Sequence, residues 1–325
     1  MSYIKFFKDI NKSSVEIAGG KGASLGEMTK AKIPVPGGFV VLASAFDRYL
    51  EETDLKEEIS ARLKEVNLED TNTVDRASNV IRDVIHDRPF PKDLKKEILA
   101  AYDKLGAEYI AVRSSATAED GAVASWAGEL ETYLNTNRKN LIARVCQCWS
   151  SLFTPRAIFY RHEKKLIDHY VSVAVVVQTM VQSEISGIAF TVHPVTEDPK
   201  QMIIEAGYGL GEAIVSGQIT PDSYIIDKTD FSIMDINIGS QTRKLIKSKG
   251  STKLTNPKSE DKSNAWVDLG KEGEKQKLTG KQIVELAKIC KKIEDHYKFP
   301  CDIEWAFFDG KFYITQSRPI TTLKK

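Results

Sequence analysis

Two sequence features that would assign a chain to a class at once are missing here. No stretch approaches the roughly 18 consecutive apolar residues of a membrane span, and the most apolar run, residues 171–181, is interrupted by Ser172, Gln178 and Thr179. The first residues mix charged and aromatic side chains without an apolar region, so no signal peptide is expected. We therefore expect a cytoplasmic protein without membrane attachment.

Cysteine, histidine and net charge are also scarce. Four cysteines in 325 residues are too few for a disulfide scaffold, and the five histidines are scattered rather than placed at metal-ligand spacing. Because 46 Lys and Arg balance 45 Asp and Glu, bulk attraction to nucleic acid is not expected. The hydrophobic content of 42% is typical of a globular chain with about two domains or one large two-lobed unit.

The pattern along the chain alternates strands and helices, which predicts an α/β or α+β fold. Residues 54–105 carry apolar side chains at helical spacing, and residues 138–165 form a second helical region. Residues 241–281 are rich in lysine and poor in apolar side chains, so we predict exposed strands and loops and the most mobile region. Thr279 and Gln282 have the spacing of a capping box that opens a helix.

A glycine-rich segment, residues 19–26, leads into a helical stretch near the start of the chain. Glycines before a helix can form an ordinary tight turn. They can also expose backbone amides at a helix N-terminus, where a phosphate binds and Lys21 would add a point charge. The segment alone leaves both readings open, and it matches neither the P-loop nor the dinucleotide-binding spacing.

A second segment places Arg113 at the end of the predicted strand 109–112, before small hydroxyl residues. An arginine in this position can bind phosphate oxygens. It can equally form an ion pair with Glu119 or Asp120. Gly128 would then allow the backbone to approach a ligand closely, shortly before Thr132.

The third segment is a predicted β-hairpin, with strands 301–308 and 311–317 around Asp309-Gly310. Glu304 and the amide oxygen of Gln316 are the hard ligands that Mg²⁺ prefers, although a solvated hairpin face is the simpler reading. A strict two-residue turn would pair Glu304 with Thr315 and direct Gln316 to the opposite face. The metal site therefore requires one extra residue, and we predict a glycine bulge or the three-residue loop 308–310, with Asp302 facing Gln316.

Taken together, these segments resemble one known family. Its motifs occur in family order at residues 19–23 (GGKGA), 112–120 (VRSSATAED), 177–181 (VQTMV), 209–213 (GLGEA), and in the hairpin at 302–305 (DIEW) and 316–319 (QSRP). They are similar to the ATP-binding domain of the phosphoenolpyruvate synthase (pyruvate, water dikinase) family, which includes pyruvate phosphate dikinase and rifampicin phosphotransferase. The resemblance implies an ATP-grasp fold, with ATP between an N-terminal lobe, residues 1–180, and a C-terminal lobe, residues 181–325.

The resemblance also implies roles for particular residues. The catalytic contacts to the ATP phosphates would be made by Lys21, Arg113 and Arg318. Gly128 and Thr132 would line the nucleotide pocket, Gln178 and the backbone of residues 180–181 would contact adenine, and Glu184 is a candidate for the ribose. Glu304 and Gln316 would hold Mg²⁺, with Asp302 as a further ligand or a supporting residue.

The family's phosphate-accepting histidine is not recognisable, because none of the five histidines follows a Thr-Ser-Gly-Gly-like run. The sequence ends seven residues after Arg318, so we expect an excised domain or a split subunit that needs a phosphohistidine-bearing domain and a pyruvate- or phosphoenolpyruvate-binding domain in trans. The expected function is phosphoryl transfer from ATP to that histidine. The alternatives are a rifampicin phosphotransferase-like enzyme, a non-catalytic ATP-binding subunit, and, fitting less well, a ligase that forms acyl phosphates.

Overall fold

The computed structural model describes residues 2–117, 131–163, 171–248, 263–321 and 323. The helices are α1 (Val15–Lys30), α2 (Ala43–Glu52), α3 (Leu55–Lys64), α4 (Thr71–Asp87), α5 (Lys92–Leu105), α6 (Leu141–Ser150), α7 (Pro155–Glu163), α8 (Glu212–Val215) and α9 (Gly280–Tyr297). None of these described helices is long and apolar enough to cross a membrane.

The strands belong to three sheets whose described ladders are all antiparallel. They are β1 (Ile4–Phe6), β2 (Gly38–Val41), β3 (Ile110–Ala116), β4 (Thr132–Thr136), β5 (Val173–Thr179), β6 (Ile185–Phe190), β7 (Gln201–Tyr208), β8 (Asp222–Asp227), β9 (Ile233–Asn237), β10 (Arg243–Lys247), β11 (Asn264–Asp268), β12 (Cys301–Phe308) and β13 (Lys311–Pro319). Because the ladders are antiparallel, the mixed architecture is α+β rather than α/β.

The chain divides into two compact units. Among the described residues, the first unit comprises residues 2–27, 37–117, 131–163 and 171–180, and the second comprises residues 28–36, 181–248, 263–321 and 323. The second unit therefore includes a short segment from the N-terminal part of the chain, which a single division after residue 180 leaves out.

The first unit is built on a five-stranded sheet in the order β1-β2-β5-β3-β4. One face supplies the core: Phe39, Val112 and Val175 are completely buried against α2 to α6. Alternation directs the intervening residues of the same strands to the opposite face. Helix α1 lies on that opposite face, where a Cβ on Gly22 would be 3.1 Å from a methyl of Val40.

The second unit contains a six-stranded sheet in the order β13-β12-β6-β7-β8-β9 and the two-stranded sheet β10-β11. Helix α9 packs on the buried face of the larger sheet through Ile283, Leu286, Cys290 and Ile293. It opens with the predicted capping box, in which the Thr279 hydroxyl accepts from the Gln282 amide.

The lysine-rich region contains predicted strands, and one of its described lysines is buried. Its described parts, residues 241–248 and 263–281, contain β10, β11 and a buried ion pair between Lys277 and Asp222, whose Nζ and Oδ1 are 2.8 Å apart. Both side chains are 0% exposed. The lysine content of the region does not show that Lys277 is buried. The burial of its ammonium group is compensated because the group also donates to the carbonyls of Gly239 and Gly273.

Candidate functional site

The glycine-rich segment forms the start of a helix. The backbone of Gly19 leaves the helical region (φ 67°, ψ 172°), so α1 is interrupted there and a new helical stretch begins at residue 20. Lys21 is in the first turn of that stretch and is half-buried. The first amides of a helix point along its axis and favour an anion. The segment is therefore a kinked helix rather than an ordinary tight turn.

Strand β3 contacts this helix start directly. A Cβ on Gly19 would be 2.2 Å from Ser115 Oγ and 2.3 Å from Ser115 O, so only glycine fits. The Gly22 amide donates to Ser115 Oγ at 3.3 Å. The two segments that the sequence singled out separately, around Lys21 and around Arg113, are thus in contact.

Arg113 lies in the middle of β3, not at its end as predicted, because the strand continues to Ala116. The hydroxyls of Ser114 and Ser115, which follow it, form hydrogen bonds inside the fold. Ser114 Oγ donates to the carbonyl of Glu131 (3.0 Å) and lies 2.9 Å from Ser151 Oγ. These contacts replace solvent for the buried hydroxyl, and the backbone ladder with β5 continues to Ala116.

Register places three predicted nucleotide contacts on the face of the first sheet where α1 packs. Arg113 pairs with Thr132 on β4 and with Val176 on β5, and Gln178 lies two residues beyond Val176. Directly paired residues share a face, as do residues two apart. Arg113, Thr132 and Gln178 therefore project from the same side. Gly128, Glu119 and Asp120 lie outside the described residues.

Gln178 is the buried member of this group. Its side chain is only 2% exposed, and within the described part of the chain Nε2 has no hydrogen-bond acceptor. Such a donor is costly to leave unmet, which suits a ligand with an acceptor nitrogen. Nearby, the Met180 amide already donates to the Tyr109 carbonyl at 3.0 Å, so this part of the predicted adenine contact is committed to the fold.

In the second unit, the hairpin resolves the register question. Phe308 pairs with Lys311 around a strict two-residue turn, and both turn residues have positive φ, 49° at Asp309 and 71° at Gly310. The predicted three-residue loop and glycine bulge are therefore wrong. The extra residue lies further along, where the register shifts between Glu304 and Trp305, which pair with Gln316 and Ile314.

The bulge at Thr315 provides the extra residue that the predicted metal site requires. Glu304 pairs directly with Gln316, so their side chains share a face. Asp302 pairs with Arg318 rather than with Gln316 as predicted. The Arg318 guanidinium binds the Asp302 carboxylate through Nε (2.8 Å) and Nη2 (2.7 Å) to the same oxygen. Burial raises the pKa of the Asp302 carboxyl, and the Arg318 charge opposes that shift.

The hairpin residues fit Mg²⁺ as a partial ligand set. Among the described residues, no group of three or more His, Cys, Asp or Glu side chains is placed to hold a metal ion. Glu304 and Gln316 supply two hard oxygens on one face. An ion that is normally six-coordinate and retains waters would take its remaining ligands from water and from a phosphate.

Sequence reasoning missed a half-buried carboxylate in the same row of the sheet. Glu304 pairs with Ile188 on β6, which pairs with Glu205 on β7. Burial raises the pKa of Glu205. Two strand spacings separate Glu205 from Glu304, about 10 Å. The alternation of side chains along β7 shows on which face of the sheet Glu205 lies. Only the order of the strands shows that Glu205 lies in line with Glu304 across the sheet.

The ribose candidate, Glu184, is exposed and immediately precedes β6. Its backbone is fixed between two strands, because its amide donates to the Phe307 carbonyl and its carbonyl accepts from the Gly209 amide, at 3.0 and 2.9 Å. The backbone that bears the Glu184 side chain is therefore fixed by two hydrogen bonds.

The chain belongs to the family of AMP/ATP-binding domains of pyruvate phosphate dikinase, because the model of that family matches residues 15–325. The resemblance found in the sequence is confirmed.

The chain is also similar to curated proteins over nearly its whole length. It is 45% identical to a protein described as probable phosphoenolpyruvate synthase from Methanocaldococcus jannaschii, over 100% of this chain and 27% of the relative. A protein of the same description from Archaeoglobus fulgidus is 46% identical, over 99% of this chain and 42% of the relative. Rifampicin phosphotransferase from Bacillus subtilis is 37% identical, over 97% and 35%. The chain thus spans less than half the length of each of these relatives.

A solved structure, D-alanyl-alanine synthetase A from Vibrio cholerae O1, matches 75% of this chain and 54% of that chain at 12% identity. Its TM-score of 0.30 is too low to support an argument about the fold.

Proposed function

We propose that this chain is the ATP-binding phosphotransferase part of a pyruvate, water dikinase of the phosphoenolpyruvate synthase type. It would pass a phosphoryl group from ATP to a histidine on a separate domain or subunit. One observation supports this most directly: Arg113, Thr132 and Gln178 project from the sheet face on which the helix start of Lys21 packs. Membership of an AMP/ATP-binding domain family supports ATP as the ligand.

In this proposal the phosphates bind to groups of two kinds. Lys21 supplies a compact charge at a helix start, and Arg113 and Arg318 supply planar donors that match phosphate oxygens. Because phosphoryl transfer needs little covalent chemistry from the protein, these residues act by positioning ATP and neutralising its charge. Asp302 holds the Arg318 guanidinium through two donors, which orients it in advance.

The adenine would complete the hydrogen bonding of Gln178, since a purine ring offers acceptor nitrogens to the buried Nε2. Thr132 and Gly128 would line the pocket beside it. The fold we propose for this function is ATP-grasp, with an N-terminal lobe of residues 1–180 and a C-terminal lobe of residues 181–325.

Mg²⁺ would be held by Glu304 and Gln316. The ion, when bound, neutralises phosphate charge during the transfer. The chain's own contribution is to present a carboxylate and an amide oxygen from directly paired positions. With pyruvate as the final acceptor in a domain that binds it, the complete reaction would convert ATP, pyruvate and water to AMP, phosphoenolpyruvate and phosphate.

Incubation with labelled ATP tests this function. The isolated chain should bind Mg-ATP by calorimetry yet show negligible net hydrolysis, and AMP should form when a phosphohistidine-bearing domain is added. No ATP binding in the presence of Mg²⁺, or rapid turnover by the pure chain, would contradict the proposal.

A second candidate keeps the site and changes the acceptor. The 37% identity to rifampicin phosphotransferase favours an antibiotic-type acceptor in a partner domain. Transfer of label to rifampicin rather than to pyruvate, with the matching partner domains present, would select it. Binding without transfer to either acceptor would indicate a non-catalytic ATP-binding subunit.

A further inference from the structure

The helix that begins beside Lys21 lacks the usual capping side chain. A helix normally satisfies its early amides with a Ser, Thr, Asp or Asn side chain at the N-cap, which accepts from the second or third helical amide. Here the residue at the N-cap position is Gly19, where the helical backbone is interrupted, and glycine has no side chain to offer.

Ser115 occupies the place of that missing cap. Its Oγ accepts from the amide of Gly22, the third residue of the new helical stretch, at 3.3 Å. Ser115 is 0% exposed, so water does not reach this hydroxyl. The close approach of Gly19 to the Ser115 carbonyl and hydroxyl allows the helix start to sit directly on β3.

We propose that Ser115 is a positioning residue for phosphate binding: a helix cap supplied by β3 that fixes Lys21 relative to Arg113. Arg113 lies two residues before Ser115 on the same face of β3, so one strand carries both a phosphate contact and the cap. Lys21 lies between Gly19 and Gly22, the two positions that contact Ser115. Its backbone is therefore held to β3 on both sides. The inference rests on the proposed function, because it concerns the binding of a triphosphate.

A matched control is available in the neighbouring residue. Ser114 is also a buried hydroxyl on β3, but it faces the core, where it binds the Glu131 carbonyl and contacts Ser151. Ser114→Ala should cost stability without changing which ligand the protein prefers. Ser115→Ala should change that preference. The informative quantity is the ratio of the affinities for Mg-ATP and adenosine, which general destabilisation does not alter in a folded sample.

The experiment measures both affinities by calorimetry for wild type, Ser114→Ala, Ser115→Ala, Lys21→Ala and the double variant of Ser115 and Lys21. We expect Ser115→Ala to weaken Mg-ATP about tenfold and adenosine less than about twofold. In the Lys21→Ala background the same change should have little further effect on Mg-ATP, because Ser115 acts through Lys21. Ser115→Cys keeps the side-chain volume with a weaker acceptor, and it should show the same selective loss if the alanine variant does not fold.

The outcomes separate this inference from the function on which it rests. If wild type binds Mg-ATP and Lys21→Ala weakens it, but both Ser115 variants keep the wild-type ratio, the positioning role is refuted and the function stands. A full Ser115 effect in the Lys21→Ala background also refutes it. If wild type does not bind Mg-ATP, the proposed function fails and this inference fails with it.

Discussion

At the scale of single residues, the proposed site depends on side chains that are far apart in sequence and share a sheet face. Arg113, Thr132 and Gln178 come from β3, β4 and β5. Arg113 pairs directly with Thr132, and Gln178 lies two residues beyond the partner of Arg113 on β5. Alternation then orients all three side chains together. Lys21 adds its charge from a helix that packs on that face.

Lys21→Ala should weaken Mg-ATP binding by roughly 1.5–3 kcal/mol, the range for a charge-assisted hydrogen bond, and should leave adenosine binding nearly unchanged. Calorimetry with both ligands measures the difference. Lys30→Ala is the matched control, because Lys30 is exposed at the far end of the same helix. Equal losses for ATP and adenosine would show that the substitution acts on folding.

Glu205 should give the protein a pH-dependent loss of stability. Burial raises its pKa in the folded state above the ordinary value of 4.5, so the folded state binds this proton more tightly than the unfolded state. Stability from this group is therefore full below the unfolded pKa and falls as pH rises through the folded pKa.

Glu205→Gln removes this titration. We expect its Tm to exceed that of wild type at pH 7.5 and the difference to shrink at pH 4. The control, Glu285→Gln, changes an exposed glutamate and should follow wild type at both pH values. A wild-type Tm above that of Glu205→Gln at pH 7.5 would mean that the Glu205 charge is favourably paired in the folded protein.

At the scale of elements, the C-terminal hairpin shows how one inserted residue changes a site. The turn at Asp309-Gly310 is tight, and the bulge at Thr315 moves Gln316 into register with Glu304. A bulge re-aims the side chains that follow it without disturbing the turn. The proposed Mg²⁺ site therefore depends on the bulge at Thr315 and not on the turn glycine, Gly310.

Two single-residue deletions of equal length test that register. Deleting Thr315 should remove the bulge and leave Gln316 opposite Glu304, so the Mg²⁺ dependence of ATP binding should persist. Deleting Gln316 instead places Thr315 opposite Glu304 and should abolish that dependence. Calorimetry with and without Mg²⁺ measures both, and the same response from the two variants would remove Gln316 from the site.

The buried pair of Asp222 and Lys277 anchors the lysine-rich region to β8. Asp222 also accepts from the Tyr224 hydroxyl (2.7 Å) and from the Lys277 and Gly239 amides, at 2.8 and 3.0 Å. Removing one partner of a buried pair leaves an uncompensated charge. The loss should therefore exceed that of an exposed pair.

Asp222→Ala should lower the free energy of unfolding by about 3–5 kcal/mol in urea titrations. The matched control, Arg62→Ala, removes an exposed ion pair with Glu65 and should cost less than about 1 kcal/mol. Similar losses for the two variants would show that the buried network contributes no more than a surface pair.

At the scale of the whole molecule, each unit has its own sheet and its own set of residues with a proposed role. The first holds Lys21, Arg113, Thr132 and Gln178, and the second holds Glu304, Gln316 and Arg318. Stability is not expected to be uniform across such a chain, since the sheets differ in size and burial.

Hydrogen exchange should be faster in β10 and β11 than in β12, because a two-stranded ladder opens more easily than an inner strand of a six-stranded sheet. Within the same region, the Lys277 and Leu278 amides donate to buried side-chain oxygens of Asp222 and Tyr224 and should exchange slowly. Protection in β10 equal to that in β12 would contradict the predicted mobility of residues 241–281, of which 249–262 lie outside the described residues.

The sequence by itself determined the local features and the family. The capping box at Thr279, the hairpin around Asp309-Gly310, the helical regions and the ordered motif segments are all set by neighbouring residues, whose preferences act over a few positions. The mixed α and β content was predictable for the same reason.

Only the tertiary structure decided how the segments meet. The bulge at Thr315, the cap that Ser115 supplies to the helix of Lys21, and the place of Glu205 in the row of Glu304 all join positions that are distant along the chain. Such contacts depend on strand order and register, which are set by the burial of whole sheet faces rather than by local pattern. A composition rich in lysine likewise could not reveal that Lys277 would be buried, because its partner Asp222 lies 55 residues away.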